Sequence, residues 1–170
     1  MPHMSLKHQL TANVKLLQKA ALIRQQAGQA QVLLLRRSSD ALSRPDCWDL
    51  PGGNSEWPAS EQPSAADLHL ADIAREIAEE TGLQVAPAAF TLDQLTHFST
   101  FFDADRQIYT VIAGWLVDFA DTNQAPVQIS PEHQDFAWVT AAELSAYDFG
   151  GDKGAFVVEM IQQAFAKTTA

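Results

Sequence analysis

A single cysteine, Cys47, in 170 residues leaves an internal disulfide nothing to close on, which fits a reducing compartment. No nucleophile signature surrounds it, so it reads as an ordinary thiol. No uninterrupted apolar run reaches bilayer-spanning length, and the opening "MPHMSLKHQL" lacks the basic-then-apolar plan of a secretion signal. The expectation is a cytoplasmic protein with no membrane partner. Basic residues are scarce: 11 Lys and Arg stand against 21 Asp and Glu, a formal net charge of −10. So acidic a chain lacks the clustered cations that hold duplex nucleic acid. Internal repeats, low-complexity tracts and linkers are missing too. With 46% hydrophobic residues, one domain over 1–170 with its own core is expected.

The runs "VKLLQKAALIRQQ" (14–26) and "QVLLLRR" (31–37) read as two strands joined by the tight connection "AGQA". A polar loop leads to "WDLPGG", which ends in a Pro-Gly-Gly turn. "NSEWPASEQP" follows with two prolines and no periodicity, an inserted loop at about 54–63. Ser64, with Asp67 three residues later, resembles a capping box and predicts a helix over 64–81 with Gly82 as its stop. Leu70, Ala74, Ile77 and Thr81 recur at helical spacing and mark its core face. Strands are predicted around 90–101 and 107–118, with "DADR" (103–106) as a hairpin turn, and a short one at "DFAWV". "AAELSAY" reads as a helical turn, and a final helix runs from about Gly154 to Lys167. Strands alternating with two amphipathic helices predict an α/β fold, a mixed central sheet between helices.

One stretch of the first helix, "REIAEETGL" (75–83), concentrates acid. At 100° per residue Asp72, Glu76, Glu79 and Glu80 fall within about 100° of arc. Like charges at i, i+4 cost about 0.2–0.5 kcal/mol per pair, and they crowd the helix end where the macrodipole disfavours anions. Two readings follow: a solvated face of an acidic protein, or oxygen ligands for a hard divalent cation such as Mg²⁺. The Pro-Gly-Gly turn upstream, where backbone can approach a ligand closely, and the glycine directly after Glu-Glu-Thr favour the cation.

Arg75, Glu76, Ile77, Glu79, Glu80, Gly82 and Leu83, preceded by "WDLPGG", resemble the second half of the Nudix hydrolase box, Arg-Glu-U-x-Glu-Glu-x-Gly-U with U bulky and apolar. The resemblance implies a Nudix-like α/β/α sandwich. It also implies a Mg²⁺-dependent pyrophosphohydrolase, with Mn²⁺ as an alternative, acting on a nucleoside diphosphate linked to a group X. It assigns Glu79 and Glu80 to the metal, makes Glu76 a further ligand or the base that activates water, has Arg75 orient Glu76, and adds Gly53 to the metal set. The first half of the box departs: Gly53 and Arg75 stand 22 residues apart, eight more than in the family. Counting back from Arg75, the box acid is Asp67, the preferred alignment. Local resemblance to Glu-x-Pro-x-x-Ala-Ala selects Glu61 instead, and Glu56 is a third acid nearby.

Glu132, six residues before Trp138, has a spacing similar to that of the family's bacterial triphosphate pyrophosphatases, which implies a metal or base role; His133 and Asp135 are lesser candidates. Arg36 and Arg37 end a strand and could meet substrate phosphate. "YDFGGDKGAF" resembles the segment that holds a purine in those enzymes, with Asp152 or Lys153 at the reading position. Trp57 is expected on an exposed loop, its ring packed on the domain surface, and His97 and Tyr109 read as strand residues. "THFST" (96–100) carries neither the proline of ADP-ribose pyrophosphatases nor the tyrosine of diadenosine polyphosphate hydrolases. The expected substrate is therefore a small-molecule nucleotide, a purine nucleoside triphosphate cut to monophosphate and pyrophosphate. Alternatives are an ADP-ribose or nucleotide-sugar pyrophosphatase and a non-catalytic nucleotide-binding module; a homodimer is compatible with either.

Overall fold

Continuous burial along the middles of the two longest apolar runs sets the frame. In the computed structural model, which describes residues 13–61, 68–119 and 125–168, strand β1 (Val14–Gln26) turns back into β2 (Gln29–Arg37) through Ala27 and Gly28, both at positive φ. The two pair only from Ile23↔Val32 to Gln26↔Gln29 and then part. The sequence between them and the acidic helix fills the gap. β3 (Trp48–Asp49) pairs with Leu35 and Arg36 of β2. Residues 51–55 then lie along β1: the Gln18 amide donates to the Gly53 carbonyl (2.9 Å), Ala20 to Pro51 (2.9 Å) and Ser55 to Leu16 (2.8 Å). The Pro-Gly-Gly turn is thereby pinned into the sheet.

Strand β4 (Leu95–Asp103) is antiparallel to β5 (Ile108–Asp118), and β5 runs parallel to β1 from Val14↔Tyr109 to Ile23↔Asp118. β6 (His133–Thr140) takes the remaining edge of β2, so the sheet is mixed, in the order β3-β2-β1-β5-β4 with β6 also on β2. Period-two alternation splits its apolar residues between two cores. Ala20, Leu22, Leu33, Leu35 and Trp115 face helix α1 (Leu70–Thr81) through Ile73, Ala74 and Ile77. Ala21, Ile23, Val32, Leu34 and Leu116 face helix α2 (Ala155–Thr168) through Val157, Met160, Ile161 and Ala164. The result is helix, sheet, helix. No helix among the described residues is long and apolar enough to cross a membrane.

Several expected boundaries move. The first helix begins at Leu70 rather than 64: Leu68 lies outside it, and His69 is left-handed at φ 55° with no side-chain cap. The cause is tertiary. The Gln18 side chain donates to the His69 carbonyl (3.0 Å), and the Trp57 indole meets the His69 ring edge-on, so the chain is held in a bend just before the helix. Ser64 and Asp67, the expected capping pair, lie outside the described residues. Gly82 does end the helix, left-handed at φ 72°, with its amide on the Ala78 carbonyl. The strand expected from about 90 begins at Leu95: residues 92–94 form a 3₁₀ turn, as do 87–89 before them, and Phe90 between the two turns is buried edge-on against Trp115.

Candidate active site

The acidic face of α1 meets the pinned turn along its C-terminal half, and its carboxylates meet different fates. Glu80 is buried. Its Oε2 accepts the Gly52 amide at 2.7 Å, and its Oε1 lies 3.9 Å from His133 Nε2 at the start of β6. Glu76 is half-buried and packs on Gly53, where an added Cβ would stand 2.7 Å from its Oε2. Glu79 points outward. Arg75 spans the group, donating to Glu76 Oε1 and to Glu79 Oε2, each at 2.9 Å. Among the described residues no three carboxylate, imidazole or thiol groups converge on one point, since Arg75 draws Glu76 and Glu79 to itself while Gly52 holds Glu80.

Electrostatics set Glu80 apart. Burial pushes its carboxyl up to about 7, against the pull of Lys19 and the Gly52 amide. Burial likewise raises Glu76, opposed by Arg75 and assisted by the charges of Glu79 and Glu132. His133 is driven the other way, down to about 4, by burial and then by Lys19. Lys19 acts on the buried Glu80 carboxylate only from beyond contact, and its one ion-pair neighbour among the described residues is a neutral imidazole; hard oxygen donors beside a glycine cradle suit a cation such as Mg²⁺.

These shifts carry opposite pH slopes. Without metal the folded chain keeps a proton on Glu80 that the unfolded chain gives up above about 4.5, so this contribution is fully present below 4.5 and lost as pH rises through about 7. His133 contributes above about 6.5 and loses it as pH falls through about 4. In EDTA, Glu80→Gln should therefore gain in melting temperature relative to the parent as pH rises from 4.5 to 7, and His133→Gln should lose ground as pH rises from 4 to 6.5. Parallel melting curves for parent and variants across this range would contradict the assigned protonation states.

Beneath the turn lies a buried hub absent from the sequence reading. Asp49, fully buried, takes Lys19 (3.2 Å), Arg44 (2.6 Å) and Arg37 (3.3 Å), and these cations hold its carboxyl below the usual range against the penalty of burial. Lys19 also donates to the carbonyls of Leu50 and Gly52, each at 3.0 Å, fixing the backbone on both sides of the Gly52 amide that meets Glu80. A lysine inside the apolar run "LLQKAALI" was the available signal. Cys47 is buried beside this hub, and burial pushes its thiol up, as befits an inert one.

The other expected residues scatter around this centre. Glu132, exposed just before β6, is near enough for its charge to act on Glu76, and its carbonyl accepts the Ser38 amide at 2.9 Å. Of the loop acids, Glu56 comes within 3.7 Å of Arg75, while its amide donates to Asp72. Glu61 is exposed further along the loop, and Asp67 lies outside the described residues. Arg36 is spent on Asp46, and Arg37 on Asp49 and the Ser43 carbonyl. Asp135 is exposed and folds back onto the Phe136 amide. Asp152 and Lys153 are exposed on a 3₁₀ turn before α2. That turn follows a segment tied to the hub: the Trp48 amide donates to the Asp148 carbonyl, and Arg44 to that of Phe149. Trp57 is 56% exposed, with its indole N–H on the Val14 carbonyl.

A family model described as the NUDIX domain matches residues 16–159, which takes in the pinned turn, α1 and β6. The chain belongs to the Nudix hydrolase family. Solved Nudix structures share its fold. A MutT protein from Methanosarcina mazei is 19% identical, with a TM-score of 0.65 over 95% of this chain and 100% of its own. An Ap4A hydrolase from C. elegans, solved as a binary complex, is 22% identical with a TM-score of 0.60, covering 91% and 98%. The Nudix domain of NrtR from Shewanella oneidensis, solved with ADP ribose, is 21% identical with a TM-score of 0.61, covering 94% and 90%. No curated protein matches the chain at a significant level. In this Nudix fold the paired glycines have separable roles. A Cβ on Gly52, at φ 131°, would overlap the Gln18 carbonyl, so Gly52→Ala should disrupt the sheet. On Gly53 its nearest neighbours would be the carboxylate atoms of Glu76, a side chain that can turn aside, rather than backbone. Gly53→Ala should keep its melting temperature within a few degrees yet lose on the order of 10²-fold in turnover, as misplacement of a reacting group does; equal losses in both variants would refute the distinction.

Proposed function

We propose that this Nudix pyrophosphohydrolase cleaves a nucleoside triphosphate, purine by preference, between the α and β phosphates to give monophosphate and pyrophosphate. Glu76, Glu80 and the Gly53 backbone would hold Mg²⁺, completed by Glu79 and Glu132. A divalent cation supplies neutralisation of phosphate charge and acidification of water. Arg75 keeps the Glu76 carboxylate aimed at the turn, and Glu76 or Glu132 takes the proton as water oxygen attacks phosphorus and the phosphoanhydride bond breaks. The neutral His133 beside Glu80 adds no competing positive charge to the site.

The observation that carries the triphosphate reading is the placement of Glu132: a loop acid, anchored through its backbone to the end of β2, close enough to perturb Glu76. The tie between the hub and the segment leading to Asp152 supports base reading from that side. With Arg36 and Arg37 engaged by Asp46 and Asp49, the phosphate charge would fall to the metal. A Mg²⁺-dependent hydrolysis screen over nucleoside triphosphates, nucleotide sugars, ADP-ribose and dinucleoside polyphosphates tests it. Glu132→Gln should lower kcat, whereas Asp152→Ala should raise KM with little change in kcat, since base contacts act mostly as uniform binding. A tenfold preference for ADP-ribose or a nucleotide sugar over every triphosphate would replace the substrate, and turnover of nothing would favour a binding module.

A further inference from the structure

We propose that two copies of this chain join edge to edge through β4, about a two-fold axis at Thr100. β4 ends the sheet, and no described strand covers its outer edge. Exposed edges are ordinarily blunted by lysine, proline or bulges, because their unpaired amides and carbonyls invite another strand. This edge lacks such protection. From Leu95 to Phe102 it reads Leu-Thr-His-Phe-Ser-Thr-Phe-Phe, with no charged residue before Asp103, and Phe98 is 66%, Phe101 60% and Phe102 42% exposed. Its one irregularity falls between Leu95 and His97, leaving His97 to Asp103 in unbroken register with β5.

Symmetry selects the occupant and the register. When an antiparallel strand pairs with a copy of itself, facing residues must point to the same side of the sheet, so the axis passes through a residue and the patch must complement itself. Thr100 is the centre of the unbroken run. Pairing there sets Phe98 against Phe102 of the second copy, twice, on the α1 side, and Ser99 against Phe101 on the α2 side. Aromatic cross-strand pairs of this kind stabilise sheets. Asp103 meets His97 instead of another acid. A shift to Ser99 sets Phe98 against threonine, and a shift to Phe101 carries Phe98 past the end of the strand. Two bodies each of net charge −10 repel broadly, so an uncharged, self-complementary strip is where they can meet.

The test uses the full chain. Light scattering on a sizing column at tens of micromolar should give twice the 18.6 kDa chain mass. Facing Cα atoms in an antiparallel pair are about 4.5–5.5 Å apart, inside the span a disulfide bridges. Thr100→Cys should thus cross-link on mild oxidation roughly tenfold or more faster than Leu42→Cys, a fully exposed collision control; Cys47 is buried and stays out of the reaction. Phe98→Glu with Phe102→Glu, and Phe98→Lys with Phe102→Lys, should each be monomeric alone and dimeric when mixed in equal amounts. A rescue of this kind excludes misfolding as the cause of either monomer. A monomeric parent, a parent dimer that both double variants preserve, or cross-linking no faster than in Leu42→Cys overturns the proposal.

Discussion

Glu80→Gln is expected to lower turnover by roughly 10²–10⁴-fold, the range for losing a positioned carboxylate, while raising the melting temperature of the metal-free protein near neutral pH. Both effects share one cause. Glu80 is buried with the Gly52 amide as its hydrogen-bond donor and a neutral His133 beside it, so its charge is costly in the metal-free protein. The neutral amide of glutamine removes that cost and, under the proposed function, a metal ligand with it. Glu79→Gln differs: Glu79 is exposed and tied to Arg75, so its removal offers no such gain in stability, and Glu76→Gln removes the partner that Arg75 aims at the turn. Steady-state rates and EDTA melting curves taken on the same preparations separate the three. Survival of turnover within tenfold in all of them would place the metal site elsewhere.

Asp49→Ala should destabilise the molecule by about 3–5 kcal/mol, because removing one member of a buried ion cluster leaves the others charged and unpaired. Lys19 is 4% exposed and the Arg44 side chain 7%, so neither can recover its hydration by moving a short distance. For a chain of this size that loss corresponds to roughly 6–20 °C in melting temperature. Lys19→Met should cost less, since Arg44 and Arg37 still neutralise Asp49, though the Leu50 and Gly52 carbonyls then lose a donor. A smaller loss in Asp49→Ala than in Lys19→Met would show that the backbone contacts of the lysine outweigh the ion cluster.

The sequence carried the parts of this fold that depend on local pattern. The strands at 14–26 and 31–37, the α1 core face at Ala74, Ile77 and Thr81, and the glycine stop at Gly82 follow from spacing and from what each backbone position tolerates. The crowding of acid on one helix face was legible for the same reason. Hidden were the features that arise when distant segments meet. That Glu80 turns inward while Glu79 faces solvent depends on where 51–53 passes α1. The helix start was misplaced because Gln18 and Trp57, far away in the chain, bend it at His69. Arg36 and Arg37 looked free for phosphate because their partners, Asp46 in the loop before β3 and Asp49 in the two-residue strand itself, lie on a stretch whose path no periodicity describes.

The gap between β1 and β2, filled by 51–55, bears on how this chain tolerates its extra length. Ser55 is hydrogen-bonded to Leu16, and the bend at His69 is fastened to Gln18, so the segment between them leaves and returns at two points on the same strand. Lengthening a loop whose ends are already moored costs only the logarithm of its length, under about 1 kcal/mol for a doubling. Positions 58–61 are in that sense a port, a place where sequence can be added or exchanged while Ser55 and His69 stay moored to β1 and the carboxylates downstream keep their positions.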